Sequence, residues 1–253
     1  MDGSTNQFYD EFAALHDQLV SFKNRKAREL PFWTKLAHDF PIRKILDISC
    51  GTGHHAVIFK EMGLKVDAMD LSGPMLAKAR ENATSKHLSI TFKQGDFRKI
   101  GEAYLDSYDA IVCLGNSLPH VKGDDEVGRV LQEVVAHLVP LGLFVVEIRN
   151  YDFLMAQRPR FFPLSVRDDA GFIYVLDYHP DEIIFNILYL NTKTGEFRTF
   201  QTTYYPLYFD ALKKSLAKSG LEVILTLEDY SGSSFVLEKS SRLVIVCRKA
   251  SPG

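Results

Sequence analysis

The chain has 253 residues, 46% hydrophobic, 25% charged and 12% aromatic, the proportions of an ordinary globular protein. Its 30 basic and 32 acidic residues give a formal net charge of −2, so a basic footprint for nucleic acid is absent, and no apolar run approaches the roughly 20 residues that span a bilayer. The N-terminus lacks the plan of a secretory signal, and Cys50, Cys113 and Cys247 are too scattered for a disulfide framework, so a cytoplasmic chain with reduced thiols is expected.

Phe8, Phe12, Leu15, Leu19 and Phe22 recur at three- and four-residue spacing and predict an amphipathic helix. A second apolar run, Leu30, Phe32, Trp33, Leu36 and Ala37, ends at Phe40-Pro41, because the residue before a proline avoids the helical region. The rhythm then changes. Lys44 to Ile48 reads as a strand running into the turn Gly51-Thr52-Gly53, with a helix from His54 to Met62. Val66 to Asp70 is a second strand, followed by Ser72-Gly73-Pro74 and a helix through Asn82. Further strands are predicted at Leu88 to Phe92, Asp109 to Leu114 and Leu143 to Ile148, with a helix from Asp124 to Leu138 before the last. This alternation predicts an α/β fold: a doubly wound, Rossmann-like, mostly parallel sheet with helices on both faces.

Past Arg149 the helical period is lost. Phe172 to Tyr178, Glu182 to Asn191 and Glu196 to Tyr205 are rich in β-branched and aromatic residues, and the segment from Asn191 to Gly195 reads as a hairpin loop. An antiparallel β insertion is expected there. A helix from Phe209 to Ser219, with Gly220 as its cap, and strands at Leu221 to Leu227 and Arg242 to Arg248 restore the α/β pattern. The expected layout is one domain over 1–253: an N-terminal helical cover (1–40), a ligand-binding core (41–150), the insertion (151–206) and a closing segment (207–253).

Gly51 and Gly53 stand at a strand-to-helix turn, where backbone N–H groups face a ligand. With Ala56 they complete a G-x-G-x-x-A form that also suits a dinucleotide. Three aspartates separate the readings. Asp47, ahead of the turn, would repel a pyrophosphate but attract a cation. Asp70 ends the second strand, where it can accept ribose hydroxyls, and Asp96 in Gly95-Asp96-Phe97 can accept from an adenine amino group. Each alone reads equally well as a cap or loop charge. Together they occupy successive carboxyl ends of strands, where open α/β sheets bind ligands.

The text from Ile45 to Gly53, then Met69-Asp70, then Gly95-Asp96-Phe97, then the strand from Asp109, resembles the class I S-adenosylmethionine-dependent methyltransferases over roughly residues 40–150. The resemblance implies S-adenosyl-L-methionine as cofactor. Gly51 and Gly53 would line its methionine part, Asp70 would hold the ribose, and Asp96, Phe97 and Met75 would flank the adenine. Asp47, Cys50, Leu71 and Leu114 complete the expected cofactor set. Arg25 or Lys26 falls near the place where the family keeps an arginine for the cofactor carboxylate.

Three further segments resemble the glycine and glycine/sarcosine N-methyltransferases: Cys113-Leu114-Gly115-Asn116-Ser117 reaching His120, Arg149-Asn150-Tyr151-Asp152, and Tyr204-Tyr205-Pro206. That likeness implies a small-molecule acceptor, the amine of an amino acid such as glycine or sarcosine, held by Asn116 and Arg149 with Tyr204 or Tyr205 adding hydroxyls. An arginine at a ligand-binding edge can take a carboxylate bidentately. The other reading of Arg149 is a structural ion pair with Glu147 or Asp152. Two departures touch the acceptor: Leu118-Pro119 replaces an aromatic-small pair, and Phe161-Phe162 stand where a tyrosine is expected. His120 is the sole candidate base and is read equally as a turn residue, so no catalytic residue is assigned. His54 and His55 lack companions at metal-ligand spacing. The alternatives are a methyltransferase for an unrelated metabolite, a NAD-dependent dehydrogenase, and a non-catalytic cofactor-binding protein. Neither nucleic acid nor membrane is expected as a partner; a homo-oligomer is compatible with the sequence.

Overall fold

The computed structural model describes residues 3–251. Two helices open the chain, α1 (Gly3–Leu19) and α2 (Phe22–Asp39). There follow β1 (Lys44–Asp47), α3 (His54–Glu61), β2 (Lys65–Asp70), α4 (Gly73–Thr84), β3 (Thr91–Gln94), α5 (Ile100–Ala103), β4 (Tyr108–Cys113), α6 (Gly123–His137) and β5 (Leu138–Arg149). A short α7 (Tyr151–Gln157) leads into β6 (Phe161–Arg167), β7 (Ala170–Tyr178), β8 (Ile183–Asn191) and β9 (Phe197–Tyr204), and α8 (Phe209–Lys218), β10 (Leu221–Leu227) and β11 (Arg242–Lys249) close the chain.

One seven-stranded sheet has the order β10-β11-β5-β4-β1-β2-β3. The pairs β1–β2, β1–β4, β2–β3 and β4–β5 are parallel, while β11 runs antiparallel to β5 and β10. The chain reverses its direction of travel across the sheet at β1/β4, so a crevice opens beyond the carboxyl ends of those strands. Alternate residues of the same strands serve two cores: Ile45, Val112 and Val145 face one side with Phe59 and Trp33, and Leu46, Ile111 and Phe144 face the other with Leu131 and Leu216. This is the doubly wound, mostly parallel architecture expected from the sequence.

The second sheet, β6-β7-β8-β9, is antiparallel throughout. It packs on α1, where the Phe12 ring meets Phe172 and Phe200 edge-on at 6.3 and 5.2 Å. The Phe209 N–H donates to Asp152 Oδ2 (2.9 Å), so the chain leaves and rejoins the main sheet at one spot.

Several boundaries differ from the sequence expectation. Phe22 opens α2 rather than closing α1, because Ser21 caps the second helix by accepting from the Asn24 N–H. The third strand is Thr91–Gln94, not Leu88 to Phe92: the Leu88 N–H still bonds back to Ala83 O, which closes α4 and delays pairing with β2. The helix predicted to end at Leu138 stops at His137, and Leu138 already opens β5. Three elements had no expectation, α5, β6 and α7; Asn150 caps the last by accepting from the Phe153 N–H.

Candidate active site at the carboxyl edge of the sheet

A cavity enclosing about 1360 Å³, its open mouth included, lies between the carboxyl ends of β1, β2, β4 and β5, helix α1 and the second sheet. The floor begins at the glycine turn. Gly51 has φ +53° and no atom within 4 Å of where a Cβ would stand, leaving an open cradle. Gly53 has φ +79°, and its own Cβ would come within 2.9 Å of Ala79 Cβ, so here glycine lets α4 pack closely. Asp70 shapes the turn from the side, accepting from the N–H groups of Gly51 (2.7 Å) and Ser72 (3.0 Å). Burial pushes its carboxyl above the usual range, against these N–H bonds.

The structure gathers most of the expected residues around this space. Arg25, Cys50, Gly51, Asp70, Leu71, Met75, Asp96, Phe97, Leu114, Asn116, His120, Arg149 and Tyr204 all line it. Lys26 does not; it pairs with Glu61 at 2.8 Å, so Arg25 is the basic residue of α2 on the cavity wall. Three expected residues stand back. Gly53 lies behind the turn. Tyr205 turns to a separate surface hollow shared with Lys122 and Arg98, its N–H donating to Pro119 O. Asp47 is fully buried beneath the turn; its Oδ1 accepts from the Ser49 N–H (3.2 Å), while Oδ2 has no partner among the described residues.

Asp96 is not open-handed either. Arg98 grips it through Nε and Nη2, at 3.0 and 2.6 Å from Oδ2. Burial raises that carboxyl, but the Arg98 hydrogen bonds outweigh burial and hold it below the usual range. His54 and His55 point to different carboxylates, His54 Nε2 to Asp17 (3.1 Å) and His55 Nε2 to Glu29 (2.8 Å). Asp17, at the end of α1, also accepts from Thr52 Oγ1 (2.6 Å) and Asn82 Nδ2 (2.8 Å). It therefore ties the N-terminal helix to the glycine turn and to α4.

At the far end of the cavity, Asn116 adopts φ +70° and is almost fully buried. Its Oδ1 accepts from the Arg149 N–H (2.8 Å), and its Nδ2 donates to the Tyr151 hydroxyl (3.0 Å). The Arg149 guanidinium lies over the rings of Phe162 and Phe185, 5.3 and 5.4 Å from their centroids. Among the described residues it has no carboxylate partner, since Glu147 pairs with Arg242 and Asp152 accepts from Phe209.

A family description reading "Methyltransferase domain" matches residues 45–142, the stretch that holds the turn and the strand ends. Over 90% of this chain and 85% of the relative, the sequence is 26% identical to a glycine/sarcosine N-methyltransferase of Aphanothece halophytica. The chain is an S-adenosylmethionine-dependent methyltransferase. A glycine N-methyltransferase of Mus musculus is 30% identical over 61% of this chain and 57% of its own length. The fold is shared with an S-adenosylmethionine-dependent methyltransferase of Clostridium acetobutylicum, at a TM-score of 0.80 and 19% identity over 96% and 99% of the two chains.

The cofactor of this methyltransferase is S-adenosyl-L-methionine, and the site fits it. A cationic ligand suits the buried, half-unpartnered Asp47 carboxylate, and the open space over Gly51 leaves room for close approach. Sequence reading missed several wall residues. Phe8 and Phe12 were legible as one helix face, but not as a face turned to a ligand. Tyr9, Tyr174, Phe185, Ile187 and Arg242 carried no local signal, because long-range packing alone brings them here. No helix among the described residues is long and apolar enough to cross a membrane.

Proposed function

We propose that this methyltransferase N-methylates the amine of an amino acid such as glycine or sarcosine, with Arg149 holding the acceptor carboxylate. The reading rests on one observation: Arg149 lines the cavity at the end of β5 with no carboxylate partner among the described residues. An unpaired guanidinium beside aromatic rings, partly shielded from water, attracts a carboxylate far more strongly than an exposed one. The names of the relatives, glycine and glycine/sarcosine N-methyltransferases, support the same acceptor class.

In this reading Arg25 meets the cofactor carboxylate, Asp70 accepts from the ribose, and Met75, Asp96 and Phe97 border the adenine. When bound, the cofactor supplies a methyl carbon made electrophilic by its sulfonium. The remaining work is positional. Arg149 fixes the carboxylate end of the acceptor and Asn116, locked by the Arg149 N–H and Tyr151, borders its amine. Tyr9 and Tyr204 close the space and exclude water, so orientation provides the larger share of the rate. A neutral amine needs no strong base.

Labelled methyl transfer to a panel of amines, amino acids and phenols tests this directly. Glycine or sarcosine is expected to accept methyl, and Arg149→Met to raise the acceptor KM by at least tenfold. Arg149→Lys recovers only part of that, because a point charge does not reproduce the planar fork. Turnover of carboxylate-free acceptors alone would overturn the role of Arg149.

A further inference from the structure

Arg149 and Arg242 are direct neighbours across the antiparallel β5–β11 ladder, so both side chains leave the same face of the sheet. Both line the cavity. Glu147, two residues before Arg149, shares that face and lies one diagonal step from Arg242. Two guanidinium groups thus compete for one buried carboxylate, and the outcome is unequal. Glu147 Oε1 pairs with Arg242 Nη1, whereas Arg149 receives no carboxylate. The other oxygen of Glu147 accepts from the Gly115 N–H (3.1 Å) and the Tyr230 hydroxyl (3.1 Å), while its main-chain oxygen accepts from the Asn116 N–H (3.1 Å). The third arginine of the wall, Arg25, stands 3.7 Å from Glu29.

We propose that Glu147 is a positioning residue that decides which arginine the acceptor meets: it neutralises Arg242, leaves Arg149 available, and with its second oxygen holds the turn that aims Asn116. An unneutralised Arg242 would offer the acceptor carboxylate a second berth displaced from the first, and a displaced amine loses its alignment with the methyl group. The carboxylate is held ionised well inside the protein: burial raises it, but the charges of Arg242, Arg25 and His55 and the Gly115 N–H together outweigh burial and bring it down to about 2. This inference rests on the carboxylate-binding role proposed for Arg149.

The test has two arms. Phenylglyoxal labelling with peptide mapping reports guanidinium availability without any substrate. The Arg242 side chain is 52% exposed and Arg149 is less so, so exposure alone predicts faster labelling of Arg242. The proposal predicts the reverse, Arg149 at least tenfold faster, with Glu147→Gln bringing Arg242 up to the rate of Arg149. Equal labelling in the wild type, or no change in Glu147→Gln, overturns it.

The second arm is calorimetric titration of glycine into protein saturated with S-adenosylhomocysteine. Glu147→Gln and Arg242→Met each unbalance the pair and are expected to weaken glycine at least tenfold while leaving the S-adenosylhomocysteine affinity within about threefold. The double variant Glu147→Gln/Arg242→Met keeps an amide oxygen for the Gly115 N–H and should recover most of the loss, a coupling that a purely additive structural effect does not produce. No recovery overturns the proposal. If the wild type binds neither glycine nor sarcosine, the amino-acid reading fails, and the labelling arm still judges the Glu147–Arg242 pairing.

Discussion

Tyr9 Oη stands 2.8 Å from His120 Nε2, while the other ring nitrogen, Nδ1, faces the Thr203 carbonyl oxygen at 3.2 Å. A carbonyl only accepts, so Nδ1 carries the proton and Nε2 receives the Tyr9 hydroxyl. The histidine is thereby committed at both nitrogens and works as a brace between α1 and β9. Tyr9→Phe and His120→Ala are expected to lower kcat by less than about tenfold, short of the 10²–10⁴ typical of a lost general base. Steady-state kinetics across pH checks this; a thousandfold fall with a displaced pH profile would make His120 a base.

Asp70 accepts from the Gly51 N–H of the glycine turn and from the Ser72 N–H of its own loop, and it lines the cavity. Its removal in Asp70→Ala is expected to weaken S-adenosylhomocysteine by about 1–3 kcal/mol, the scale of hydrogen bonds to a charged group. Asp70→Asn keeps an acceptor oxygen and should lose less. Calorimetry that finds unchanged affinity in both variants rules out the ribose role.

Burial raises the Asp47 carboxyl to about 7, the Ser49 N–H opposing and the negative charge of Asp70 adding to the effect. Its value in the unfolded chain is near 3.8. The folded state therefore holds a proton that the unfolded chain has already lost, and the stability this contributes is present below about pH 4 and lost as pH rises through about 7. Thermal unfolding of the free protein should show that decline, and Asp47→Asn should flatten it. The sulfonium of S-adenosylmethionine favours the ionised carboxylate, whereas the neutral sulfur of S-adenosylhomocysteine does not. The affinity ratio of the two should rise in favour of the sulfonium from about pH 6 to pH 8 in the wild type and stay level in Asp47→Asn.

The two glycines of the turn should fail differently. Gly51→Ala adds a methyl to open space, so it costs the free protein only the left-handed backbone penalty of about 1–2 kcal/mol while obstructing the cofactor. Gly53→Ala adds the same penalty and a clash with Ala79, so it should destabilise the fold by about 2–4 kcal/mol. Melting temperature and cofactor affinity, measured side by side, separate the two. A Gly51→Ala protein that binds normally would remove that residue from the cofactor wall.

The parts of the site that were legible in the sequence are those built from local chain. The strand end at Asp70, the turn at Gly51 and Asn116 beyond β4 follow from strand-turn-helix chemistry in neighbouring residues. The wall is otherwise. Arg242 reaches Arg149 only through the register of β11 on β5, and Tyr9 reaches His120 only once α1 has settled across the sheet edge. No spacing in a single sequence encodes such meetings. Asp96 marks a middle case: its position was visible, but its capture by Arg98, two residues away, depends on a rotamer rather than a pattern.

The stitch between Asp152 and the Phe209 N–H gives the second sheet a particular freedom. Everything between those residues is an excursion whose two ends already touch, so lengthening or replacing it asks nothing new of the seven-stranded sheet. Loop-closure cost grows by only about 0.6 kcal/mol per doubling of length. Phe162, Tyr174, Phe185 and Tyr204 all belong to that excursion, whereas Gly51, Asp70 and Asp96 do not. Evolution can therefore reshape that wall of the cavity while Gly51, Asp70, Asn116 and Arg149, all outside the excursion, stay in place.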